Sequence, residues 1–235
     1  MTAQAAELHN HHRDVTGGWL RPAVFGVMDG LVSNAALLAG VIGGGATGTG
    51  VVIAGLAGLA AGAFSMATGE YTSVASQREL TQAEIAIERR ELARNPEAEE
   101  RELALLYQSR GLTPELATEV ARQLHHDDEV AWRVHAREEL GIDPDDLPSP
   151  WVAAGSSFLA FALGALIPVL PFLIGMSSVL AVVVLTATAL FVTGALVAVL
   201  TARSPLYGGV RQLALGALAT AVTYGVGSLV GTFIG

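Results

Sequence analysis

The sequence contains no cysteine, and only 15% of its 235 residues are charged and 6% are aromatic. The absence of cysteine excludes a scaffold held together by disulfides. The scarcity of charge excludes an ordinary soluble domain, in which roughly 25% of residues are charged. Positive charge is not in excess either, because the formal net charge is −9. A nucleic-acid-binding protein is therefore not expected.

What the sequence does contain is a large apolar fraction, 51% of the residues, and one strongly acidic segment. Residues 77–148 hold 18 of the 22 acidic and 9 of the 13 basic residues, so this segment carries the whole net charge of −9. A transmembrane helix needs about 20 predominantly apolar residues. Five windows outside the segment satisfy this need: 21–42, 50–72, 151–173, 178–201 and 210–233.

We therefore predict an all-α polytopic membrane protein with five transmembrane helices and a three-helix cytoplasmic insert. A polar tail in 1–18 precedes helices 1 and 2 in 19–76, the insert continues helix 2 over 77–148, and helices 3–5 occupy 149–235. All 13 basic residues are arginines. They fall on one side when the N-terminus and the insert are cytoplasmic and the C-terminus is outside, as the positive-inside rule requires.

Only two acidic residues, Asp29 and Glu70, lie within the apolar windows. An aspartate at mid-membrane costs roughly 2.5–3.5 kcal/mol on insertion scales, which favours a functional role for Asp29. Met66 lies one turn before Glu70 and, because helices 1 and 2 run antiparallel, is expected at the depth of Asp29. A carboxylate, a thioether and one further oxygen suit a divalent transition metal. The alternatives are a structural aspartate bonded to neighbouring hydroxyls and amides, and a methionine that only packs.

The insert is predicted to present acidic faces on three helices. The first continues from the second apolar window to Arg94, the second begins at Pro96 and is closed by Gly111, and the third runs from Thr113 to Gly141. Carboxylates and one histidine recur on them at helical spacing and indicate a divalent-metal site. The candidate ligands are Glu84, Glu88, Glu91, Glu99, Glu102, His135 and Glu139. The alternative is a solvated acidic face paired with neighbouring arginines.

Two further patterns leave alternatives open. Gly55, Gly58 and Gly62 are spaced for close helix packing, either within one subunit or at a seam between two subunits. The polar tail lacks the basic start and short apolar core of a cleavable signal. Its three histidines are interpreted as part of a polar start, with weak metal collection as the alternative; they are His9, His11 and His12.

Three runs of residues resemble a known family. They are WLRPAVFGVMDGLVSNAALLAGV, AGLAGLAAGAFSMATGEYTSVASQRE and HAREELGI. In these runs, and from about His12 to the C-terminus, the sequence resembles the vacuolar iron transporter family. The resemblance implies a homodimer of five-span subunits in a lipid bilayer. Such a protein exports Fe²⁺, and often Mn²⁺, from the cytosol in exchange for protons, without a resident cofactor.

The resemblance also implies where the metal binds. It places an intramembrane site at Asp29 and Met66, with Glu70 at the cytosolic exit of the second span. The implied cytoplasmic ligands are Glu88, Glu91, Glu99, Glu102 and Glu139. His135 stands where the family often has a methionine. Imidazole is still a transition-metal ligand, so the exchange bears on the preference among Mn²⁺, Fe²⁺ and Zn²⁺. Co²⁺ and Zn²⁺ are further candidate ions.

Two other functional classes are alternatives to transport. A metal-sensing or scaffolding membrane protein would bind metal in the insert and would need no charge within the membrane, which Asp29 contradicts. An integral membrane enzyme is not expected, because no nucleophile–base pair, HExxH motif or phosphate loop occurs near the membrane. The predicted location is a bacterial inner membrane.

Overall fold

The computed structural model describes residues 18–176 and 179–234. The histidines of the polar tail lie outside these described residues. Within them the chain forms eight α-helices and no strand. The helices are α1 (Leu20–Gly43), α2 (Thr49–Arg94), α3 (Pro96–Ser109), α4 (Pro114–Leu124), α5 (Asp128–Glu138), α6 (Pro150–Leu173), α7 (Val179–Leu200) and α8 (Pro205–Ile234).

The chain divides into two compact units. The apolar unit runs up to Thr72 and resumes at Ser149, and the polar unit is Ser73–Pro148. Helix α2 is continuous from Thr49 to Arg94, so its apolar first part belongs to one unit and its charged second part to the other. The prediction of one helix that extends from the second apolar window to Arg94 is confirmed.

Five helices are long and apolar enough to cross a membrane, and all five predicted spans are thereby confirmed. They are Leu20–Gly43, Thr49–Arg94, Pro150–Leu173, Leu180–Leu200 and Pro205–Phe233. Large apolar side chains on them are exposed, including Phe64, Leu163 and Phe233. A polytopic all-α membrane protein explains both the length of the helices and the apolar surface that they present.

Glycines allow the helices of the apolar unit to approach closely. Helix α1 packs most extensively against α6, where Gly30 faces the backbone of Phe161 and Gly164 faces the backbone of Val27. At both glycines an added Cβ would overlap a carbonyl oxygen. Small residues bring helices together in lipid, where packing replaces the hydrophobic effect as the driving force.

The glycines of α2 also face side chains of their own chain. Gly55 lies against Val169, Gly58 against Leu37, and Gly62 against the ring of Phe161. These contacts favour close packing within one subunit as the reason for their spacing. The amide of Asn34 strengthens the same junction, because Nδ2 donates to the carbonyl oxygens of Ala165 at 2.6 Å and Gly55 at 3.2 Å.

The polar unit has a small core and well-defined helix ends. Leu103, Ala104 and Ala121 form its buried cluster between α3 and α4. Gly111 follows α3 with a φ of 102°, a left-handed conformation that favours glycine. Thr113 caps α4 by accepting a hydrogen bond from the backbone N–H of Leu116, and the predicted start of this helix at Thr113 is confirmed.

The prediction of a single helix from Thr113 to Gly141 is wrong. The structure has two 11-residue helices there, α4 and α5, with His125 to Asp127 between them. Asp127 adopts an extended backbone, and its carboxylate accepts a hydrogen bond from the N–H of Glu129 at 2.8 Å. This N-terminal cap begins a new helix, which the continuous helical spacing of the sequence did not reveal.

Gly164→Ala is expected to lower the stability of the apolar unit. Its methyl group would meet the Val27 carbonyl, and such overpacking costs about 1–3 kcal/mol. Thermal unfolding in detergent measures the effect. Gly155→Ala on the same helix is the control, because Gly155 is exposed and no described atom lies within 4 Å of the added methyl position. An equal fall in Tm for both variants would contradict the packing argument.

Candidate metal sites

Three side chains of the polar unit converge on one point. His135 of α5 places Nδ1 at 2.7 Å from Glu139 Oε1 and at 3.1 Å from Glu88 Oε1. Glu139 is four residues after His135 and therefore on the same helical face, whereas Glu88 comes from α2. One ligand atom from each residue lies within 4.8 Å of the other two. We call Glu88, His135 and Glu139 the buried triad.

Three polar atoms of the buried triad have no hydrogen-bond partner in the described part of the chain. The His135 ring is fully buried and Glu88 is 7% exposed. Among the described residues, Glu88 Oε1, His135 Nδ1 and Glu139 Oε1 have no partner with hydrogen-bond geometry. Buried polar atoms are normally hydrogen-bonded, and two carboxylates that face each other repel. A proton or a cation between the three atoms would remove this repulsion.

The pKa values reflect the same crowding. Burial raises the pKa of Glu88 to about 7; the charge of Glu139 also raises it, and the neighbouring His135 lowers it. Burial lowers the pKa of His135, but the contact with Glu139 and the charges of Glu139 and Glu88 outweigh burial and raise it overall. Glu88 and His135 therefore hold protons at neutral pH more readily than the free side chains do.

Neighbouring arginines do not neutralise this group, although they follow Glu88 directly in the sequence. The Arg89 guanidinium lies 3.9 Å from the ring centroid of Trp132, a cation–π contact. Arg90 donates from Nε to the carbonyl oxygen of Ala86 at 3.0 Å. The interpretation of the acidic face as a set of ordinary ion pairs therefore does not describe the surroundings of Glu88.

Of the other predicted ligands of the insert, Glu91, Glu99 and Glu102 lie near the buried triad, and Glu84 does not. Burial raises the pKa of Glu99, with further increases from the charges of Glu102, Glu139 and Glu91 and a decrease from His135, so these carboxylates share one electrostatic environment. Glu102 and Glu139 line the same surface cavity. Glu84 is exposed and lies outside the triad.

His125 lies beside the triad, although its place in the sequence indicated no role. Its Nε2 lies 3.2 Å from Nε2 of His135. The two residues are ten positions apart, and a single continuous helix would hold them about 15 Å apart along its axis. The break before α5 brings them together, so the missing signal was the cap at Asp127.

A second candidate site lies in the apolar unit. Asp29 and Met66 line one cavity of about 270 Å³ between α1, α2 and Phe161 of α6. The sequence predicted that these two residues lie at the same level, and in the structure they are neighbours. The Ser33 hydroxyl is not a partner for the Asp29 carboxylate, because it donates to the Asp29 backbone carbonyl oxygen at 2.6 Å. Glu70 is half-buried on α2 and does not line this cavity.

Asn34 is a further polar group in the cavity that the sequence analysis did not single out. The side chain is 2% exposed, and its Nδ2 is engaged by the two backbone carbonyls described above. Its Oδ1 has no hydrogen-bond partner among the described residues. Asp29, Met66 and Asn34 therefore line one small space within the spans, and the amide oxygen of Asn34 is unpaired among the described residues.

Comparison with known proteins identifies the family. The sequence profile of the VIT family matches residues 20–228. The chain belongs to the VIT family. A protein of Acanthamoeba castellanii named vacuolar iron transporter is 43% identical to it over 223 residues, which cover 91% of this chain and 79% of that protein.

Plant relatives align over almost the whole length of this VIT-family protein. Vacuolar iron transporter 1 of Oryza sativa subsp. japonica is 31% identical over 234 residues, covering 97% of this chain and 93% of the relative. Vacuolar iron transporter 1 of Arabidopsis thaliana is 32% identical over 223 residues, covering 92% and 89%. Membership of this family and the five spans together identify an integral membrane protein.

In the metal-free VIT-family protein, the polar unit is expected to lose stability as the pH rises from about 5 to 8. The Glu88 pKa is 4.5 in the free side chain and about 7 in the fold, so the folded state binds more protons across this window. His135, whose pKa is also raised, acts in the same direction. The shift of Glu88 corresponds to at most about 3 kcal/mol.

Hydrogen exchange of α5 amides, corrected for the intrinsic effect of pH on exchange, measures this loss. Glu88→Gln should flatten most of the dependence because an amide does not titrate. Glu84→Gln, an exposed change on the same helix, should keep the wild-type slope. Identical slopes for wild type and Glu88→Gln would contradict the assignment to the triad.

Proposed function

We propose that this protein is a divalent transition-metal transporter that carries Fe²⁺ and Mn²⁺ out of the cytosol in exchange for protons. The observation that carries the proposal is the cavity lined by Asp29, Met66 and Asn34 within the membrane-spanning unit. A charged carboxylate within the membrane costs free energy, and such residues usually mark functional sites. The names of the relatives, vacuolar iron transporter, support iron as a substrate.

The donor set of the cavity suits the proposed substrates. Ca²⁺ and Mg²⁺ prefer shells made only of oxygen, whereas a thioether adds a soft ligand that favours transition metals. In the proposed cycle, Asp29, Met66 and Asn34 Oδ1 hold the metal at mid-membrane. A proton from the far side then neutralises Asp29 and releases the metal. Glu70 acts between this cavity and the cytosol.

We propose that the polar unit collects metal from the cytosol. The triad supplies two carboxylates and one imidazole, a combination that binds Fe²⁺, Mn²⁺, Co²⁺ and Zn²⁺. Glu91, Glu99 and Glu102 form an outer acidic shell. Glu84 and the remaining negative charge of the segment raise the local cation concentration through the net field. His135 in place of the family's methionine shifts the preference of this site towards metals that bind nitrogen.

The proposed assembly is a homodimer, with the N-terminus and the polar unit in the cytosol and the C-terminus outside. The arginine distribution supports this orientation. The proposed host is a bacterial inner membrane, although the relatives are named vacuolar. In either membrane the proposed exchange for protons carries metal away from the cytosol.

A metal sensor or scaffold is the second candidate function. Its support is that the triad lies entirely within the polar unit, so metal binding there does not itself require transport. The two functions differ in what they demand of the spans. A sensor tolerates loss of the Asp29 carboxylate, whereas a transporter does not.

Asp29→Asn is expected to reduce metal uptake into proteoliposomes by more than about tenfold, because the neutral amide neither balances the metal charge nor carries a proton. A metal-sensitive dye inside the vesicles and a pH-sensitive dye report the two fluxes.

Met66→Leu should slow transport and change the order of preference among Fe²⁺, Mn²⁺, Co²⁺ and Zn²⁺. Met28→Leu on α1 is the control, since Met28 does not line the cavity. Full coupled flux in Asp29→Asn would refute the transport proposal.

Glu139→Gln is expected to weaken Mn²⁺ binding to the full chain by about tenfold or more, because it removes one of three ligands from a buried site. Isothermal titration in detergent measures the affinity. Glu84→Gln should leave the affinity within about twofold of wild type, since Glu84 is exposed and outside the triad. Equal affinities for wild type and Glu139→Gln would place the bound metal elsewhere.

A further inference from the structure

The triad histidine has two ring nitrogens with different surroundings. Nδ1 of His135 faces the carboxylates of Glu88 and Glu139, at 3.1 and 2.7 Å. Nε2 faces the half-buried His125, at 3.2 Å from Nε2 of that residue. The two rings are nearly perpendicular, with their centroids 5.1 Å apart. Which nitrogen carries hydrogen therefore decides which nitrogen is free to bind metal.

A contact between His125 and the backbone determines which nitrogen of the His125 ring carries hydrogen. Its Nδ1 lies 3.0 Å from the carbonyl oxygen of Ala121. A carbonyl oxygen only accepts hydrogen bonds, so Nδ1 of His125 carries hydrogen and donates it. A neutral imidazole has one N–H, and Nε2 of His125 is consequently an acceptor. The short contact between the rings then requires that Nε2 of His135 is the donor.

This chain of hydrogen bonds fixes the orientation of a completely buried ring and, for the neutral imidazole that binds metal, its tautomer. With hydrogen on Nε2, the lone pair of Nδ1 of His135 points to the space between the two carboxylates. That space is where a cation would meet all three unpartnered atoms of the triad. Without His125, the buried Nε2–H would lose its partner, and hydrogen on Nδ1 bonded to a carboxylate would be favoured instead.

We propose that His125 is a positioning residue that holds His135 in the Nε2–H tautomer and so makes Nδ1 the metal-binding atom of the triad. The inference rests on the proposed metal-collecting function of the polar unit. His125 does not itself touch the metal in this arrangement. It acts as the outer partner that metal-binding histidines usually have, a role more often filled by a carboxylate or a backbone carbonyl.

The test uses the full chain in lipid vesicles, labelled with ¹⁵N in its histidines, and Zn²⁺ as a probe that leaves the ring signals visible. Solid-state NMR is expected to show His135 with hydrogen on Nε2 and Zn²⁺ on Nδ1. A correlation between the His135 Nε2 hydrogen and Nε2 of His125 should be present before and after Zn²⁺ is added. Zn²⁺ on Nε2 of His135 would overturn the proposal.

Three substitutions test whether the contact matters for affinity. His125→Leu removes the acceptor and is expected to weaken Zn²⁺ binding by about 10- to 100-fold. In the metal-free protein, at a pH where His135 is neutral, it should move hydrogen from Nε2 to Nδ1 of that ring. His125→Gln retains an acceptor in its amide oxygen and should restore most of the affinity. His126→Leu is the matched control, because His126 is the exposed neighbour of His125. Equal affinities for His125→Leu and His126→Leu would overturn the proposal.

Failure of the proposed function has a different signature. If the wild-type chain binds no Zn²⁺ at His135, the triad is not a metal site. The positioning claim is then judged in the metal-free spectrum alone. The correlation between the two histidines, lost in His125→Leu and regained in His125→Gln, would support the orienting role of His125. Its absence from the wild-type spectrum would refute that role.

Discussion

The structure depends on one constraint: a carboxylate taken out of water needs a proton, a donor or a cation beside it. In most of the acidic segment water meets this need, because the carboxylates are exposed. Two places differ. In the polar unit Glu88 and Glu139 face His135 without hydrogen-bond geometry, and in the apolar unit Asp29 lines a small cavity. In both places a positive charge would offset the cost of the buried carboxylate.

Close backbone packing in the apolar unit shapes the cavity that Asp29 lines. Glycines of α1 and α6 lie against carbonyl groups of the opposite helix, and those of α2 face the side chains of α1 and α6. A small cavity with defined walls requires such contacts, since larger residues would separate the helices and admit lipid. Hydrogen bonds also orient the amide of Asn34, because Nδ2 donates to two backbone carbonyls. Its Oδ1 has no hydrogen-bond partner among the described residues.

The sequence was most informative where a pattern extends over many residues. Five apolar windows predicted five spans, and the uninterrupted pattern after Glu70 predicted that α2 continues to Arg94. Local events were not predicted. A capping hydrogen bond at Asp127 divides the expected third helix of the insert, and the pairing of His125 with His135 follows from it. Helical spacing also grouped Glu84 with Glu88, although only Glu88 is buried, because periodicity places residues on a face and does not show which turn a neighbouring helix covers.

The brevity of α5 has a consequence for how the polar unit responds to its surroundings. An isolated helix of 11 residues is marginal in water, so α5 owes its order to its cap and to the contacts of its buried face. Part of that face is a triad that repels itself when empty. A ligand that binds only the ordered form of α5 stabilises that form. The stabilisation grows with the logarithm of the ligand concentration once this concentration exceeds the dissociation constant. With metal bound at the triad as proposed, the local folding equilibrium of α5 follows the concentration of free metal around the helix.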